Sequence, residues 1–232
     1  MEPADWLRID DGFAGQMAER DRLFAAVPAK VHTMQERGRP AAQELYANVL
    51  DVLRGSAGYR VGANSVMRPD GVNVPLNPDL PLATLGRLVQ EDLCVMERDG
   101  DVHVLTGACL CFPASWSLDE KIGRSLTGIH TPVASYDGDI ARRVQRMFDA
   151  IRVEQPLWRM NALVYVDPTL HQPRREGDPR TDRRGGQYLR AERQCFVRLP
   201  QTGAVVFSIH TYVVRLEHLT QVERDGLIEA RL

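Results

Sequence analysis

Apolar residues recur at helical spacing in two long segments of the chain. In the first, Pro40 opens the run PAAQELYANVLDVLRG, and Gly55 follows as a stop signal. Its apolar stripe consists of Leu45, Val49, Leu50 and Leu53. In the second, residues 139–153, the stripe consists of Ile140, Val144, Met147, Phe148 and Ile151. Both patterns predict amphipathic helices, and Pro81 leads a further helix through Glu91.

Shorter runs rich in apolar residues predict five strands, at residues 93–96, 102–112, 158–166, 189–199 and 204–216. Turn residues at 98–101 and 200–203 join two pairs of these strands into hairpins. Helices precede and separate the strands, but no repeated strand–helix–strand pattern demands a parallel sheet. The sequence therefore predicts an α+β fold with a mainly antiparallel, five-stranded sheet and flanking helices.

The polar and apolar pattern also divides the chain. Residues 1–39 are polar and broken, so we predict an N-terminal arm that Trp6 and Leu7 attach to a single domain at 40–232. Residues 56–81 contain four prolines and predict a long ordered loop, either functional or a surface excursion. Residues 171–187 are almost devoid of apolar side chains and predict an exposed loop.

Composition excludes several classes of protein. The formal net charge of −2 provides no field that would attract nucleic acid or an anionic membrane. No apolar run approaches the roughly 20 residues of a membrane helix, and the first residues lack the pattern of a secretory signal. The four cysteines show no CxxC spacing, which indicates reduced core residues. We therefore expect a cytoplasmic protein without nucleic-acid or membrane partners.

The common catalytic and cofactor signatures are absent, namely GxGxxG after a strand, the P-loop, HExxH, GxSxG and the cysteine–histidine zinc pattern. Two histidines remain as candidates. His130 lies between apolar Ile129 and a proline turn, and His210 lies on a strand face with Tyr212. Each can be a packed core residue or a ligand, for instance to haem iron, which one histidine can hold. His103, beside an acidic turn, is expected to be exposed.

The strand at 189–199 carries charge on both faces. Alternation places Arg190, Glu192 and Gln194 on one face and Arg193 on the other. Such a strand is either an edge strand that meets water or one wall of a polar pocket. If the following hairpin closes tightly, Arg193 lies opposite His210, and a slip of one residue would undo that pairing.

Three groups of short segments occur in a characteristic order and spacing. They are FPASW with EKIGR (112–116 and 120–124), IHTPVASY (129–136), and LRAERQ (189–194) followed by RLP, GAVVF and TY (198–200, 203–207 and 211–212). Together they resemble a known family, the haem-dependent oxidative N-demethylases of the DUF3445 group. Weaker similarity occurs at 77–79, 90–93 and 158–161. The resemblance covers most of residues 60–216. Ala134 and Ala162 depart from it, where a second proline and an aromatic residue are expected.

This resemblance implies a PAS-like fold in which an antiparallel sheet packs haem b and its iron against helices. It implies a monooxygenase-type enzyme that uses O2 to remove a methyl group from a small secondary amine such as dimethylamine, with release of formaldehyde. The electrons would come from NADPH through flavin and iron–sulfur centres on separate reductase chains. A homo-oligomeric state is compatible with this assignment.

The resemblance also suggests roles for individual residues. His130 would be the metal ligand, and Glu192 would be the counter-ion of a cationic amine, with Tyr136 adding a hydrogen bond. The candidates for the haem propionates are Arg190, Arg193 and Arg198, whose forked guanidinium groups suit carboxylates. His210 is the alternative axial ligand.

Two other functions compete with the enzyme. The first is a PAS-like sensor that binds haem or a small ligand without turnover, because fold does not settle function. The second is a scaffold subunit that has lost its cofactor. An absorption band from bound haem would separate the scaffold from the other two.

Overall fold

The computed structural model describes residues 5–130, 138–179 and 182–229. The α-helices are α1 (Phe13–Ala26), α2 (Pro28–Val31), α3 (Arg39–Arg54), α4 (Pro81–Gly86), α5 (Leu118–Lys121), α6 (Leu126–His130), α7 (Gly138–Ala150) and α8 (Gln221–Glu229). The strands are β1 (His32–Met34), β2 (Arg60–Val61), β3 (Ser65–Met67), β4 (Asn73–Pro75), β5 (Asp92–Asp99), β6 (Val102–Cys109), β7 (Leu157–Tyr165), β8 (Tyr188–Arg198) and β9 (Val205–Arg215). No helix in these ranges is long and apolar enough to cross a membrane.

Within the described residues the main sheet has six strands in the order β1-β6-β5-β9-β8-β7, and every neighbouring pair is antiparallel. The α+β class and the antiparallel pairing are confirmed, but the predicted number of five strands is wrong. The missed strand, β1, contains only three residues, with His32 paired to Cys109. Three residues are too few to show a strand pattern, so the sequence did not reveal that β1 adds to the edge of β6.

The predicted loop at 56–81 contains a second sheet, formed by β2, β3 and β4. Val66 and Val74 pair across it and are both buried, so two short hairpins bury apolar surface in spite of the prolines. Arg68, also buried, donates to the carbonyl of Arg87 and to the carboxylate of Asp70. The segment is therefore anchored to the domain rather than a surface excursion.

Two hydrophobic clusters cover the two faces of the main sheet, because successive side chains of a strand point to opposite faces. On one face, Leu45 of α3 and Leu85 of α4 belong to the same cluster as Leu93 and Val95 of β5. On the other face, the cluster contains Phe148 of α7 together with strand residues Cys94, Leu105, Ala108 and Phe196. The cysteines Cys94, Cys109, Cys111 and Cys195 are all free and buried, as expected.

Helix α1 brings a charged side chain into the interior. The guanidinium of Arg20 is fully buried and donates from Nη1 to Asp92 Oδ1 at 2.8 Å. It also donates to the carbonyl oxygens of Gly86, Gln90 and Glu91. The three acceptors lie at the end of α4 and just after it. The sequence predicted that this helix continues through Glu91, but it ends at Gly86.

Asp92 is the acceptor at the centre of this network. Its two carboxylate oxygens accept from the backbone amides of Cys111 and Phe112, at 2.7 and 2.8 Å.

The N-terminal residues are packed as well, since Trp6 and Phe13 are both buried. Residues 5–39 thus contribute to the core, while the predicted division into an arm and a domain at 40–232 stays a prediction.

Replacing Arg20 by methionine is expected to destabilise the protein by roughly 3–5 kcal/mol, because it leaves the buried Asp92 carboxylate without its cation. The matched control is Arg22→Met on the same helix. Arg22 pairs with Glu19 but its side chain is 62% exposed, so its loss should leave the stability nearly unchanged. Urea unfolding of both variants measures the difference. Equal midpoints would show that the Arg20–Asp92 pair does not hold the fold together.

Candidate functional site

One face of strands β7, β8 and β9 carries a polar cluster beside a cavity. Asn161, Glu192 and Thr211 lie side by side, since Asn161 pairs with Glu192 and Glu192 pairs with Thr211. The cavity has a volume of about 110 Å³ and is lined by Ala114, Trp116, Asn161, Leu163, Tyr165, Arg183, Arg190 and Glu192. Segments that are far apart in the sequence meet here, among them 112–116 and 189–194, which carry part of the family resemblance.

Arg190 forms one wall of the cavity. Its Nη2 donates to the carbonyl of Phe112 at 2.6 Å, and its Nη1 donates to the carbonyl of Leu170 at 2.9 Å. Its Nε lies 3.4 Å from Glu192 Oε1. The guanidinium is therefore held by backbone oxygens on one side and faces the carboxylate on the other.

Glu192 is the carboxylate of the cavity, and its side chain is 12% exposed. Its Oε2 accepts from Gln194 Nε2 at 3.0 Å. In the neighbouring strand, the hydroxyl of Thr211 is buried and has no hydrogen-bond partner within the described part of the chain. Because β8 lies between β7 and β9, the edge-strand interpretation of 189–199 is wrong, and the strand forms a wall of a polar pocket.

Arg193 and Arg198 lie elsewhere. Arg193 pairs with His210 in the β8–β9 register, as the tight hairpin predicted, and both residues face away from Glu192. Arg198 donates hydrogen bonds from all three of its guanidinium nitrogens to the backbone carbonyls of Ile151, Gly203 and Phe148. Arg198 thus fastens the end of α7 to the β8–β9 hairpin.

His210 is buried between two carboxylates. Its Nδ1 donates to Glu91 Oε1 at 2.8 Å and its Nε2 donates to Asp10 Oδ2 at 3.0 Å. Burial lowers the pKa of this imidazole, but the hydrogen bonds to Asp10 and Glu91 outweigh burial and raise the pKa to about 9. An imidazolium with both nitrogens donating has no lone pair for a metal.

His130 is the last residue of α6. Its side chain lies outside the described residues, and so does the whole of Tyr136. The preceding residue, Ile129, packs against the cluster on the same sheet face as Phe196 and Phe207. Lys121 donates from Nζ to the carbonyl of Ile129 at 2.8 Å, which fixes the end of α6 over that face.

The expectation that His103 is exposed is wrong, because α7 covers it. Its side chain is 1% exposed and packs on Phe148, with a distance of 5.3 Å between ring centroids. The side-chain amide of Gln145 lies 2.8 Å from Nδ1. Burial lowers the pKa of His103, so a neutral core imidazole is the better description.

The cavity residues suit a haem in kind. Trp116, Leu163 and Tyr165 offer apolar contact, and Arg183 and Arg190 offer cations for carboxylates. No cluster of three metal-binding side chains occurs among the described residues, but a single histidine is enough to hold a haem. Ligand cavities usually have volumes of about 300–1,000 Å³. A haem would therefore need more room than these side chains leave.

The loop at 171–187 reaches the cavity through long-range contacts that its polar composition did not reveal. The guanidinium of Arg183 lies over the ring of Tyr165, 4.3 Å from its centroid. Glu176 accepts from Lys121 and Arg124, at 2.5 and 2.7 Å. The sequence did not reveal Arg183 because a segment almost devoid of apolar side chains predicted an exposed loop.

The comparison with known families agrees with the resemblance seen in the sequence. A family model described as haem-dependent oxidative N-demethylase, alpha subunit-like, matches residues 1–231. The match includes the segments that form the cavity and the N-terminal residues that carry Asp10 and Arg20.

Because His210 lies between the carboxylates of Asp10 and Glu91, we expect the stability of the folded protein to depend on pH. The pKa is raised from 6.5 to about 9 on folding, so the stabilisation is fully present below about pH 6.5 and is lost as the pH rises through about 9. Since one pKa unit corresponds to 1.36 kcal/mol, the expected loss is on the order of 3 kcal/mol.

Urea unfolding midpoints of the wild type and His210→Gln, measured between pH 6 and 10, test this prediction. The variant should be less stable at pH 6 and should show a flatter pH profile. His218→Gln, at a side chain that is 67% exposed, is the control and should follow the wild type. Parallel profiles for His210→Gln and wild type would show that His210 is neutral in the fold.

Proposed function

Because the chain belongs to the haem-dependent oxidative N-demethylase, alpha subunit-like family, we propose that it is the haem-binding subunit of an oxidative N-demethylase. It would remove a methyl group from a small secondary amine such as dimethylamine, using O2. The observation that carries the proposal is the largely buried carboxylate of Glu192 beside Arg190, on the sheet face over which α6 ends at His130.

His130 is the residue proposed to hold haem b through its iron. Of the other candidates, His210 has both ring nitrogens bound to carboxylates, and His103 is buried under α7 with Gln145 at its Nδ1. Ile129, next to His130, packs against the hydrophobic cluster on the same sheet face as the cavity. When bound, haem supplies the redox chemistry that activates oxygen, which no side chain of this protein offers.

Arg190 is the proposed partner of a haem propionate, with Arg183 as a second cation at the same cavity. A guanidinium group can bind a carboxylate through two hydrogen bonds. In Arg190 these would come from the N–H groups that Leu170 and Phe112 leave free. Arg193 and Arg198 were candidates for the same role. The contacts of Arg198 with three carbonyl oxygens and of Arg193 with Asp5 and the Trp158 ring favour structural roles for both.

Glu192 is the proposed binding group for the amine, which is protonated near neutral pH. A buried ammonium needs a paired carboxylate, and Glu192 Oε1 and Oε2 lie at the cavity wall. On the neighbouring strand the hydroxyl of Thr211 is buried and has no partner among the described residues. Trp116 and Leu163 would contact the methyl groups and exclude water, and Tyr136 is the proposed source of one more hydrogen bond.

Electrons for this reaction would come from NADPH through flavin and iron–sulfur centres on partner chains. Membership of a family of alpha subunit-like chains supports such a complex. The PAS-like architecture, the single domain at 40–232 and a cytoplasmic location belong to the same proposal. A small-ligand sensor is the second candidate, supported by the modest cavity of about 110 Å³.

An absorption spectrum of the purified protein tests the proposal. We expect a Soret band that shifts on addition of dimethylamine, and release of formaldehyde when reductant and O2 are supplied. A Soret band and a spectral shift without formaldehyde would favour the sensor. A protein that remains colourless after loading with haem would contradict the demethylase and a haem sensor, and would leave only a sensor of another small ligand.

His130→Ala is expected to leave a folded protein that no longer holds haem stoichiometrically, because the iron loses its axial ligand. The measurements are the Soret absorbance per protein and the far-UV circular dichroism spectrum. His218→Ala, at an exposed position, is the control and should retain haem. If His130→Ala keeps its Soret band and His210→Ala loses it, His210 is the ligand.

Glu192→Gln is expected to retain haem but to bind the amine more weakly by roughly 3–5 kcal/mol, the typical cost of removing one member of a buried ion pair. Titration of the Soret band with dimethylammonium measures this change. Glu217→Gln, at a side chain that is 68% exposed, is the control. Unchanged amine affinity in a haem-replete Glu192→Gln protein would remove Glu192 from the site.

A further inference from the structure

Lys121, the last residue of α5, is a lysine withdrawn almost completely from water. Only 3% of the residue is exposed. Its Nζ donates to the carbonyl oxygen of Ile129 at 2.8 Å and to Glu176 Oε1 at 2.5 Å. Lysine is almost never buried unless it is paired, because the ammonium group loses its hydration. The position of Lys121 therefore depends on these two acceptors, and Lys121 holds both of them in turn.

The first acceptor belongs to α6. This helix has only five residues, too few to be stable without tertiary contacts. Ile129 lies in its last turn, where carbonyl oxygens have no partner inside the helix and attract a cation. The side chain of Ile129 packs against the hydrophobic cluster on the sheet, so this residue is fixed both by its side chain and by its carbonyl group.

The bond from Lys121 also fixes the backbone at the next residue. The carbonyl group of Ile129 and the amide nitrogen of His130 belong to one planar peptide unit, which turns as a rigid body. A donor that holds this carbonyl oxygen therefore sets the direction in which the chain enters His130. Lys121 is such a donor.

The second acceptor lies in the loop at 171–187. Glu176 also accepts from Arg124, at 2.7 Å. The hydrogen bonds from Lys121 and Arg124 lower the pKa of the Glu176 carboxyl, which keeps it an anion at neutral pH. Arg183 of the same loop lines the cavity. Lys121 thus ties the end of α6 to a loop that forms part of the cavity wall.

We propose that Lys121 is a positioning residue for His130, because its bond to the carbonyl of Ile129 orients the backbone that carries the proposed haem ligand. This inference rests on the proposed function. The described wall of the cavity does not include Lys121, and both of its contacts lie within the protein. It therefore acts through the backbone of α6 rather than on a bound molecule.

Two variants separate the two contacts of Lys121. Lys121→Met removes the ammonium group but keeps the apolar stem, and it should fold because Glu176 retains Arg124 as its cation. Arg124→Met is the matched control. It removes the other cation from Glu176, at a side chain that is 40% exposed, and leaves the bond between Lys121 and Ile129 in place. Far-UV circular dichroism and urea unfolding midpoints establish that both variants are folded.

The first measurement is the rate at which the haem-loaded protein transfers haem to an excess of haem-free myoglobin. Lys121→Met should release haem about tenfold faster than the wild type, as expected for the loss of one hydrogen bond from a charged donor. The resonance Raman band of the iron–histidine bond should shift as well, which a general loss of stability would not cause. Arg124→Met should match the wild type in both measurements.

The second measurement needs no haem. Amide hydrogen exchange at residues 126–130 of the haem-free protein should be faster in Lys121→Met, because the end of α6 has lost its anchor. Exchange in Arg124→Met should remain that of the wild type. If Lys121→Met does not fold, Lys121→Gln takes its place. Its side chain is one bond too short to keep both contacts, so haem release should again be faster than in the wild type.

Haem release and an iron–histidine band like those of the wild type in the Lys121 variant would overturn the proposal, and faster exchange alone would leave Lys121 a structural residue. Equal effects in Lys121→Met and Arg124→Met would overturn it too, because they would assign the effect to Glu176 and its loop. A wild-type protein that takes up no haem contradicts the proposed function and the positioning role together. A wild-type protein that holds haem beside an unaffected Lys121 variant contradicts the positioning role alone.

Discussion

The ion pair between Arg20 and Asp92 is the constraint on which the rest of the structure depends. Both side chains are withdrawn from water, which is costly unless every polar atom finds a partner. Arg20 meets this requirement by binding the backbone after α4, and Asp92 meets it by binding the amides of Cys111 and Phe112. An N-terminal helix, the entry to β5 and the exit from β6 are thereby held at one point.

This point also reaches both faces of the sheet. Phe112, whose amide binds Asp92, accepts through its carbonyl from Arg190 at the cavity of Glu192. Glu91, the neighbour of Asp92 in sequence, accepts from His210 on the opposite face. Removing the Arg20–Asp92 pair should therefore disturb groups on both faces, because a buried polar network can be worth more than the sum of its single contacts.

The positions of the charged groups separate structural from functional roles among residues of the same type. Arg198 gives its hydrogen bonds to backbone carbonyls, whereas Arg190 uses two carbonyls as a support and faces a carboxylate. His210 is held as an imidazolium by two carboxylates, which makes it a structural cation rather than a ligand. The demethylase proposal accordingly concentrates on His130 and Glu192.

The sequence by itself determined the long elements and their local pairing. The apolar stripes predicted α3 and α7, and the turn at 200–203 predicted the register that places Arg193 opposite His210. These features depend on neighbours a few residues apart, which periodicity reveals. Only the tertiary structure decided that β1 completes the sheet, that α7 buries His103 and that Arg183 reaches the cavity. Those contacts join residues far apart in sequence, and a side chain's own neighbours do not state which distant group will cover it or pair with it.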